Sequence, residues 1–474
     1  MARSSSLLLT AVLSFGILAA CSSEPVVDEV PIHDDLQQTW QSSHAGAIDG
    51  QLQQDWWATF EDPDMTAAIE AALLDNFDLQ ASAKRVEAVS AQLRLVAGDR
   101  LPQLNASLDL RRSRSNLIGL PFPGAADVLP ITNSGHGLGL NLSWELDLWG
   151  RLAATENAAV ATLEASAADW QAARLSLAGQ MAKVHLQYAE ASQQLLLARK
   201  MLSISEAQRD HLRERFHNGN GADALLQAEA AVASAEAEVV AATQKQQTLD
   251  RQRSLLQGGY PSAQAGGASW PTLPQLPGPV PSGLPADLLQ RRPDLAAGAA
   301  KLRASQFHSE AADASLYPSL AITASGGASS NELGELLDGD FKVWSLGGSL
   351  TAPLFHGGRL DAQADAAAAE AQATGLAFVQ QVLRAYAEVE IALDSERLIE
   401  DRLTQLLAER KTHSERANLA TQRFENGVGL SDAVYQTRLA LLQSASKLHA
   451  TRLLLLTNRV DLYLALGGGF QTTE

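Results

Sequence analysis

The chain has 474 residues, of which 46% are apolar and only 5% aromatic, and its formal net charge is −18 at pH 7. Such a length accommodates several compact domains or one elongated unit. The acidic balance repels a phosphate backbone and excludes nucleic acid as a partner. The frequent Ala, Leu, Gln and Glu residues are typical of long helices that contact one another through small side chains.

The N-terminal residues have the pattern of a secretory signal. Arg3 precedes an apolar run from Leu7 to Leu18, which is too short to span a membrane as a helix. No later segment is an apolar run long enough for a membrane helix, so any membrane crossing must use strands. We therefore predict a signal peptide over 1–20. The residues around Cys21 indicate that it is of the lipoprotein type.

The signal ends in Leu-Ala-Ala before Cys21, the only cysteine, in a pattern that resembles the bacterial lipobox. We predict a covalent lipid on Cys21 as the only attached group, with the lipid anchor and an N-terminal tether over 21–63. Two or three acyl chains hold a protein firmly where one does not. Ser22, in place of an aspartate, favours sorting to the outer membrane. The alternative is a plain secretory signal with an accidental cysteine.

Two segments of the first half alternate apolar and polar side chains with a period of two, from Leu104 to Leu110 and from Leu138 to Leu146. Weaker alternation recurs in the second half. About ten such residues suit a membrane β-barrel strand, although a soluble sheet with one wet face has the same pattern. The candidate membrane-strand residues are Leu104, Leu108, Leu140, Trp144, Ile322 and Leu350.

A very long helix is predicted from Leu152 to about Glu214, and a second from Arg359 to about Gln422. Neither stretch contains proline, and small and apolar residues recur at coiled-coil spacing. At 1.5 Å per residue each helix is about 95 Å long. Each ends at an Asn-Gly-x-Gly turn before a returning helix, because glycine adopts the left-handed cap conformation. The turn glycines are Gly219, Gly221, Gly427 and Gly429.

The second half of the chain repeats the first. The segment Leu138–Leu152 recurs as Leu346–Leu360, and the turn Arg215–Gly221 recurs as Arg423–Gly429. We predict an internal duplication in which each half reads helix, strand, strand, long helix, helix. The predicted segments are the first repeat over 64–258, a Pro/Gly-rich linker over 259–284, the second repeat over 285–468 and a C-terminal tail over 469–474.

Four strands cannot enclose a pore. An open sheet edge in lipid leaves backbone groups unpaired, at a cost of several kcal/mol each. If the strands span a membrane, three copies would supply twelve strands, an even number within the normal range. The expected fold class is therefore mainly α with a membrane β-barrel, formed by a trimer of internally duplicated subunits.

Motifs spread over nearly the whole mature chain carry a family resemblance. They are Trp56–Pro63, Asn76–Leu79, Ser143–Arg151, Gly283–Pro285 with Leu288–Leu295, and Pro353–Leu360. These segments resemble the OprM/NodT lipoprotein branch of TolC-like outer-membrane efflux proteins, the outer components of tripartite RND-type systems. The resemblance implies a homotrimer whose twelve-stranded barrel stands on a long periplasmic α-helical barrel. It places the linker and the terminal segments in an equatorial belt around the tunnel.

The resemblance also implies a location and partners. The trimer would lie in the outer membrane of a Gram-negative bacterium, contact its lipids and extend into the periplasm. A periplasmic adaptor (membrane fusion) protein and an inner-membrane pump of RND or ABC type would dock beneath it. The channel would be a passive, gated conduit for drugs and toxic compounds, and not an enzyme. Metal-ion efflux, type I protein export and a lipid-anchored coiled-coil scaffold stay open as alternatives.

The resemblance places a gate at the inner tips, where related channels narrow with a ring of carboxylates. Gln227 and Gln436 fall near that position, and Asp223 and Asp432 are the nearest acids. All four are periplasmic tip or gate candidates. For the two aspartates, a favourable position at a helix N-terminus is an equally good explanation.

No catalytic or metal site is predicted. Ser444–Lys447 matches the short S-x-x-K pattern of serine acylases, but no partner motif accompanies it. The ten histidines form no close metal-binding cluster. Acidic residues on the helices, Glu206, Glu214, Glu396 and Glu400 among them, are interpreted as solvated helix faces.

Overall fold

The structure is a computed structural model that describes residues 40, 54–118, 128–217, 221–262, 271–280 and 288–469. These residues belong to one structural unit, Leu36–Glu474. The predicted signal peptide, Cys21, the turn residue Gly219 and the motif Gly283–Pro285 lie outside the described residues.

Each half of the chain contains a helix, two strands, a very long helix and a returning helix. The first half comprises α1 (Pro63–Asp75), α2 (Phe77–Gly98), β1 (Gln103–Ile118), β2 (Val128–Leu146), α3 (Arg151–His217) and α4 (Ala222–Leu256). The second comprises α5 (Leu288–Arg291), α6 (Pro293–Ala314), β3 (Ser319–Ser330), β4 (Lys342–Thr351), α7 (Arg359–Glu425) and α8 (Ser431–Ala465). Short 3-10 helices lie at Trp56–Phe60, Leu333–Leu337 and Gly339–Phe341.

The two long helices were predicted to within a few residues at both ends. Each has 67 residues, which at 1.5 Å per residue corresponds to about 100 Å. Within the described ranges, no helix is both long and apolar enough to cross a membrane. The described parts of the linker, 259–262 and 271–280, contain neither helix nor strand.

The strands form one antiparallel sheet in the order β1-β2-β3-β4. The strands of the first hairpin extend beyond the alternating segments Leu104–Leu110 and Leu138–Leu146, since β1 has 16 residues and β2 has 19. Beyond that alternation the hairpin continues through the arginine-containing stretch Arg111–Arg114, and its outer end pairs Leu117 with Leu129 and Ile118 with Val128. Strand β4 ends at Thr351, two residues before Pro353, which lacks the N–H that a ladder requires.

Side-chain caps define the start of the first two helices. The Asp62 carboxylate accepts a hydrogen bond from the Met65 N–H at 3.0 Å, and Pro63 occupies the first turn of α1. The Asn76 side chain accepts from the Leu79 N–H at 3.0 Å and so starts α2. Since α2 leads directly into β1, these caps fix where the chain enters the sheet.

The largest apolar core joins the two ends of the described chain. Trp56 is fully buried and stacks on Tyr463 of α8, with ring centroids 5.1 Å apart. Phe60 and Tyr463 also contact, and Met65 and Ile69 of α1 are fully buried in the same cluster. The core therefore ties the N-terminal aromatic motif to the last helix and to the middle of α3.

Candidate channel-forming surfaces

The sheet has one apolar and one polar face. Directly paired residues place their side chains on the same face. An apolar row across the four strands consists of Leu104, Leu142, Ala324 and Leu346. The adjacent polar row consists of Asn105, Asn141, Ser325 and Ser345. Sheets of this kind separate an apolar environment from water, as the wall of a membrane barrel does.

The six candidate membrane-strand residues all lie on the apolar face. Leu104, Leu108, Leu140 and Leu350 are more than half exposed in the single chain. Trp144 and Ile322 are paired directly with each other and are half-buried. The geometry suits contact with lipid, and that contact remains a prediction.

Hydrogen bonds link the inner end of the sheet to the helices. The Trp144 indole N–H donates to the Arg100 carbonyl at 2.9 Å, and the Trp149 indole donates to the Pro318 carbonyl at 2.7 Å. Trp149 also stacks on Tyr317, with centroids 5.1 Å apart. The Trp149 contacts therefore join the two repeats at the boundary between strands and helices, and the Trp144 bond ties β2 to the end of α2 within the first repeat.

The start of α3 is fixed by the end of β2. Both carboxylate oxygens of Asp147 accept backbone N–H bonds, from Leu152 at 3.1 Å and from Ala153 at 2.7 Å. Such bonds satisfy free donors of a helix N-terminus. Arg151 pairs with Glu145 at 2.8 Å. The Ser143–Arg151 motif thus has a local structural role, the turn from strand into long helix.

The tip turns use glycine as predicted where they are described. Gly221 has a φ of 94° at the start of α4, and Gly427 has a φ of 73° after α7. Gly429 is needed for space, since a Cβ there would lie 2.8 Å from the Phe424 nitrogen. These turns bring the returning helices α4 and α8 back alongside the long ones.

The four gate candidates differ in their surroundings. Asp223 is exposed and accepts a hydrogen bond from Gln227 of the same helix at 2.9 Å. Asp432 is half-buried and accepts from Gln208 of α3 at 2.7 Å. Gln436 is exposed. Among the hydrogen bonds of the described residues, that of Asp432 with Gln208 joins this candidate to the other repeat. A gating role for any of the four remains a prediction.

A second contact lies beside Asp432. His211 Nε2 of α3 is 2.6 Å from the Ser431 hydroxyl at the start of α8. Gln208 and His211 were missed by sequence reasoning, because they are more than 200 positions from their partners and no local motif marks them. Together the two contacts tie the second repeat to the first at the tip.

A buried arginine holds the linker to the helices. Arg459 of α8 donates to Glu396 of α7 at 2.9 and 2.5 Å and to the carbonyls of Pro277, at 2.9 Å, and Gly278. Interpreting Glu396 as part of a solvated face was wrong. Glu396 lies four residues after the buried Ala392 and seven after the buried Val389, which is the spacing of a buried face. Its charge is compensated there by a partner from a helix that is distant in sequence.

Arg292, at the start of α6, forms a second charged contact with α7. It pairs with Asp294 at 2.8 Å and Glu388 at 2.6 Å, and donates to the Ala465 carbonyl at 3.1 Å. Burial opposes the arginine charge, but the two carboxylates outweigh it and raise the pKa of Arg292. Burial likewise opposes the charge on Asp294, yet the bonds from Arg292 hold its pKa below the usual value.

Comparison with known proteins decides the family. The family model for outer membrane efflux proteins matches the chain twice, over 68–256 and 284–468. The chain belongs to the outer membrane efflux protein family. The chain is 30% identical to the pyoverdine export outer membrane protein OpmQ of Pseudomonas putida over 440 residues, 91% of this chain and 92% of that protein.

Solved structures agree with this assignment. The CmeC outer membrane channel of Campylobacter jejuni has a TM-score of 0.82 at 23% identity, covering 90% of each chain. The open MtrE outer membrane channel of Neisseria gonorrhoeae has a TM-score of 0.77 at 27% identity, covering 92% of this chain and 96% of that one. The predicted fold class is confirmed, namely a duplicated, mainly helical subunit of a trimeric channel with a membrane β-barrel.

This efflux protein is therefore an outer-membrane channel component of Gram-negative efflux systems, as predicted.

The S-x-x-K pattern has a structural explanation. The buried Ser444 hydroxyl donates to the Leu441 carbonyl of its own helix at 2.7 Å, and Lys447 pairs with Glu409 of α7 at 3.2 Å. The serine is thus satisfied within α8, and the lysine holds two neighbouring helices together. Among the described residues, no group of three or more His, Cys, Asp or Glu side chains could hold a metal ion.

Proposed function

We propose that this efflux protein is the passive outer section of a tripartite system that exports small molecules. One observation supports this proposed function most strongly. A sheet with a lipid-compatible face and a hydroxyl- and amide-rich face stands at the end of helices about 100 Å long. Three such sheets would enclose a water-filled pore continuous with a helical tunnel. No chemical step is needed, because the energy comes from the pump.

The polar face of the sheet is an argument for small-molecule cargo of varied chemistry. One complete row across its four strands is uncharged, namely Asn105, Asn141, Ser325 and Ser345, and the charged side chains further out on β1, Asp109 and Arg111, are of opposite sign. Such a wall would interact weakly with most solutes. The relative OpmQ is named for pyoverdine export, and SrpC of Pseudomonas putida for solvent efflux. We expect export of comparable small organic compounds here.

A passive conduit needs partner proteins that deliver and drive its cargo. A periplasmic adaptor would contact the helical tips, and a pump of RND or ABC type would supply the substrate. A lipid on Cys21 would anchor each subunit to the outer membrane. Replacing Cys21 with Ala should remove the acyl mass from the mature protein while leaving trimers able to form through the barrel.

Cysteine accessibility tests the proposal directly. Asn141→Cys places a thiol on the polar face, and Leu140→Cys, one residue away, places it on the apolar face. With adaptor and pump present, a bulky water-soluble thiol reagent should block export of a fluorescent substrate through Asn141→Cys and spare Leu140→Cys. Equal block in both variants, or in neither, would contradict a pore lined by the polar face.

A further inference from the structure

The long helices of one subunit lie side by side in the order α4, α3, α8 and α7, since α3 packs against both α4 and α8, and α8 packs against α7. The outermost helices, α4 and α7, expose large apolar side chains. The exposed fractions are 65% for Leu226 and 67% for Val240 on α4, and 51% for Leu398 and 48% for Leu419 on α7. Rows of such side chains mark a surface that another protein covers.

The internal duplication indicates which protein covers these two helices. Helices α3 and α7 both have 67 residues, and α4 and α8 both have 35. Helix α7 is therefore the counterpart of α3, and α4 is the counterpart of α8. The contact of α3 with α8 inside one subunit, here called the template contact, has as its counterpart a contact of α7 with α4 of the next subunit. A ring closes when the two kinds of contact alternate around it.

Near the tip, the template contact joins an amide to a carboxylate, because Gln208 donates to Asp432 at 2.7 Å. Aligning the helices at their first residues makes Arg416 the counterpart of Gln208 and Asp223 the counterpart of Asp432. Both counterparts are exposed, and among the described residues neither forms an ion pair within its own subunit. Between subunits, the same geometry brings opposite charges together.

The template contact also includes two rings, His211 of α3 and Tyr435 of α8, whose centroids are 6.3 Å apart. The same alignment makes Leu419 the counterpart of His211 and Leu226 the counterpart of Tyr435. Both leucines are exposed in the single subunit. Contact between them would remove two large apolar side chains from water, which is favourable.

A third position lies further from the tip. Glu190 of α3 is buried, and its charge acts on His449 of α8. Their counterparts are Leu398 of α7 and Val240 of α4, both exposed and apolar. An ionisable pair inside the subunit is thus replaced at the free helices by a matching apolar pair. Three positions along the helices therefore agree on one register and on one partner, another copy of this chain.

We propose that α4 of one subunit docks on α7 of the next in the register that α8 has on α3, with Asp223 paired to Arg416 and Leu226 beside Leu419. The apolar pairs supply the burial. The ion pair fixes the register, because sliding one helix by a turn would separate the two charges. The inference rests on the trimeric fold and is independent of the cargo.

Disulfide formation provides the first test. Leu226→Cys combined with Leu419→Cys should give dimers and trimers on a denaturing, non-reducing gel that a reductant converts to monomers. Within one subunit, α3 and α8 separate the two positions by more than a disulfide spans. The matched control is His211→Cys with Tyr435→Cys, the template pair, which should link within one chain. Control linkage without any inter-subunit product would overturn the proposal.

The register is tested by moving one cysteine along α7 by a turn. Leu226→Cys should link less readily to Glu415→Cys or Arg423→Cys than to Leu419→Cys. Each single variant controls for linkage through Cys21. Preferred linkage at either shifted position would show that the template register does not apply between subunits.

A double-mutant cycle tests the ion pair. Arg416→Met and Asp223→Asn should each lower the temperature at which the trimer dissociates in detergent, and the double variant should lose no more than the larger single loss. Arg416→Gln should lose less than Arg416→Met, because Gln208 makes this contact in the template. Additive losses, or loss of a co-purifying adaptor with unchanged trimer stability, would show that these residues serve another partner and would contradict the proposal.

Discussion

At the residue scale, buried ion pairs hold the helices and the linker together. The Arg459 side chain is 3% exposed and has carboxylate and carbonyl partners from α7 and the linker. Removing one partner of such a pair leaves the other charge buried without compensation. The effect of a substitution therefore depends on burial, and not on the number of charges lost.

Replacing Arg459 with Met should lower the free energy of unfolding by about 3–5 kcal/mol. The free energy of unfolding is measured by urea unfolding in detergent, with tryptophan fluorescence as the signal. Arg397→Met is the matched control, since Arg397 pairs with Asp394 at 2.8 Å but both side chains are at least 44% exposed. That change should cost no more than about 0.5 kcal/mol. Similar losses in the two variants would show that the Arg459 contact is not buried in the assembled protein.

A pH dependence follows from His449. Burial, followed by the charge of Arg452, lowers the pKa of His449 from its ordinary value of 6.5. The folded protein therefore binds this proton less readily than the unfolded chain. Stability should be complete above pH 6.5 and should fall as the pH is lowered through and below that value. Urea midpoints at pH 7.5 and 5.5 should differ less in His449→Gln, and an unchanged difference would exclude His449 as the cause.

At the element scale, close approach of strands makes specific demands on side-chain size. A Cβ at Gly327 would lie 2.0 Å from the Leu138 carbonyl oxygen and 2.8 Å from the Gly139 Cα. A Cβ at Gly326 would meet nothing within 4 Å. Adjacent glycines of one strand therefore differ in the space available to them.

Gly327→Ala should push β2 and β3 apart, at a cost of about 1–3 kcal/mol in stability. We expect a lower dissociation temperature of the trimer and less folded protein in the outer membrane. Gly326→Ala should behave like the unaltered protein, because its methyl group enters open space. Equal behaviour of the two variants would contradict the described approach of β2 and β3.

The tips offer a test of selectivity at the same scale. If Asp432 residues form a ring around the threefold axis, they should favour cations. Asp432→Ala should then move the reversal potential in a salt gradient toward zero and also release Gln208. Asp223→Ala is the control, since Asp223 contacts Gln227 of its own helix. An unchanged reversal potential for Asp432→Ala would remove Asp432 from the gate.

At the scale of the whole molecule, local and repeated patterns were predictable. The long helices, the alternating strands and the duplication follow from periodicity, glycine turns and recurring motifs. Contacts between residues distant in sequence could not be predicted. Gln208 with Asp432, and Arg459 with Glu396, depend on which helices lie side by side. A pattern within one helix cannot contain that information, so Glu396 was interpreted as exposed.

The central claim is that three copies of this chain close one barrel in the outer membrane. Native mass spectrometry of the protein extracted from outer membranes in detergent tests it most directly. The account predicts a particle of three subunits, each carrying the acyl mass on Cys21 in place of the signal peptide. A monomer without lipid would contradict it, because four strands with two open edges cannot form the pore.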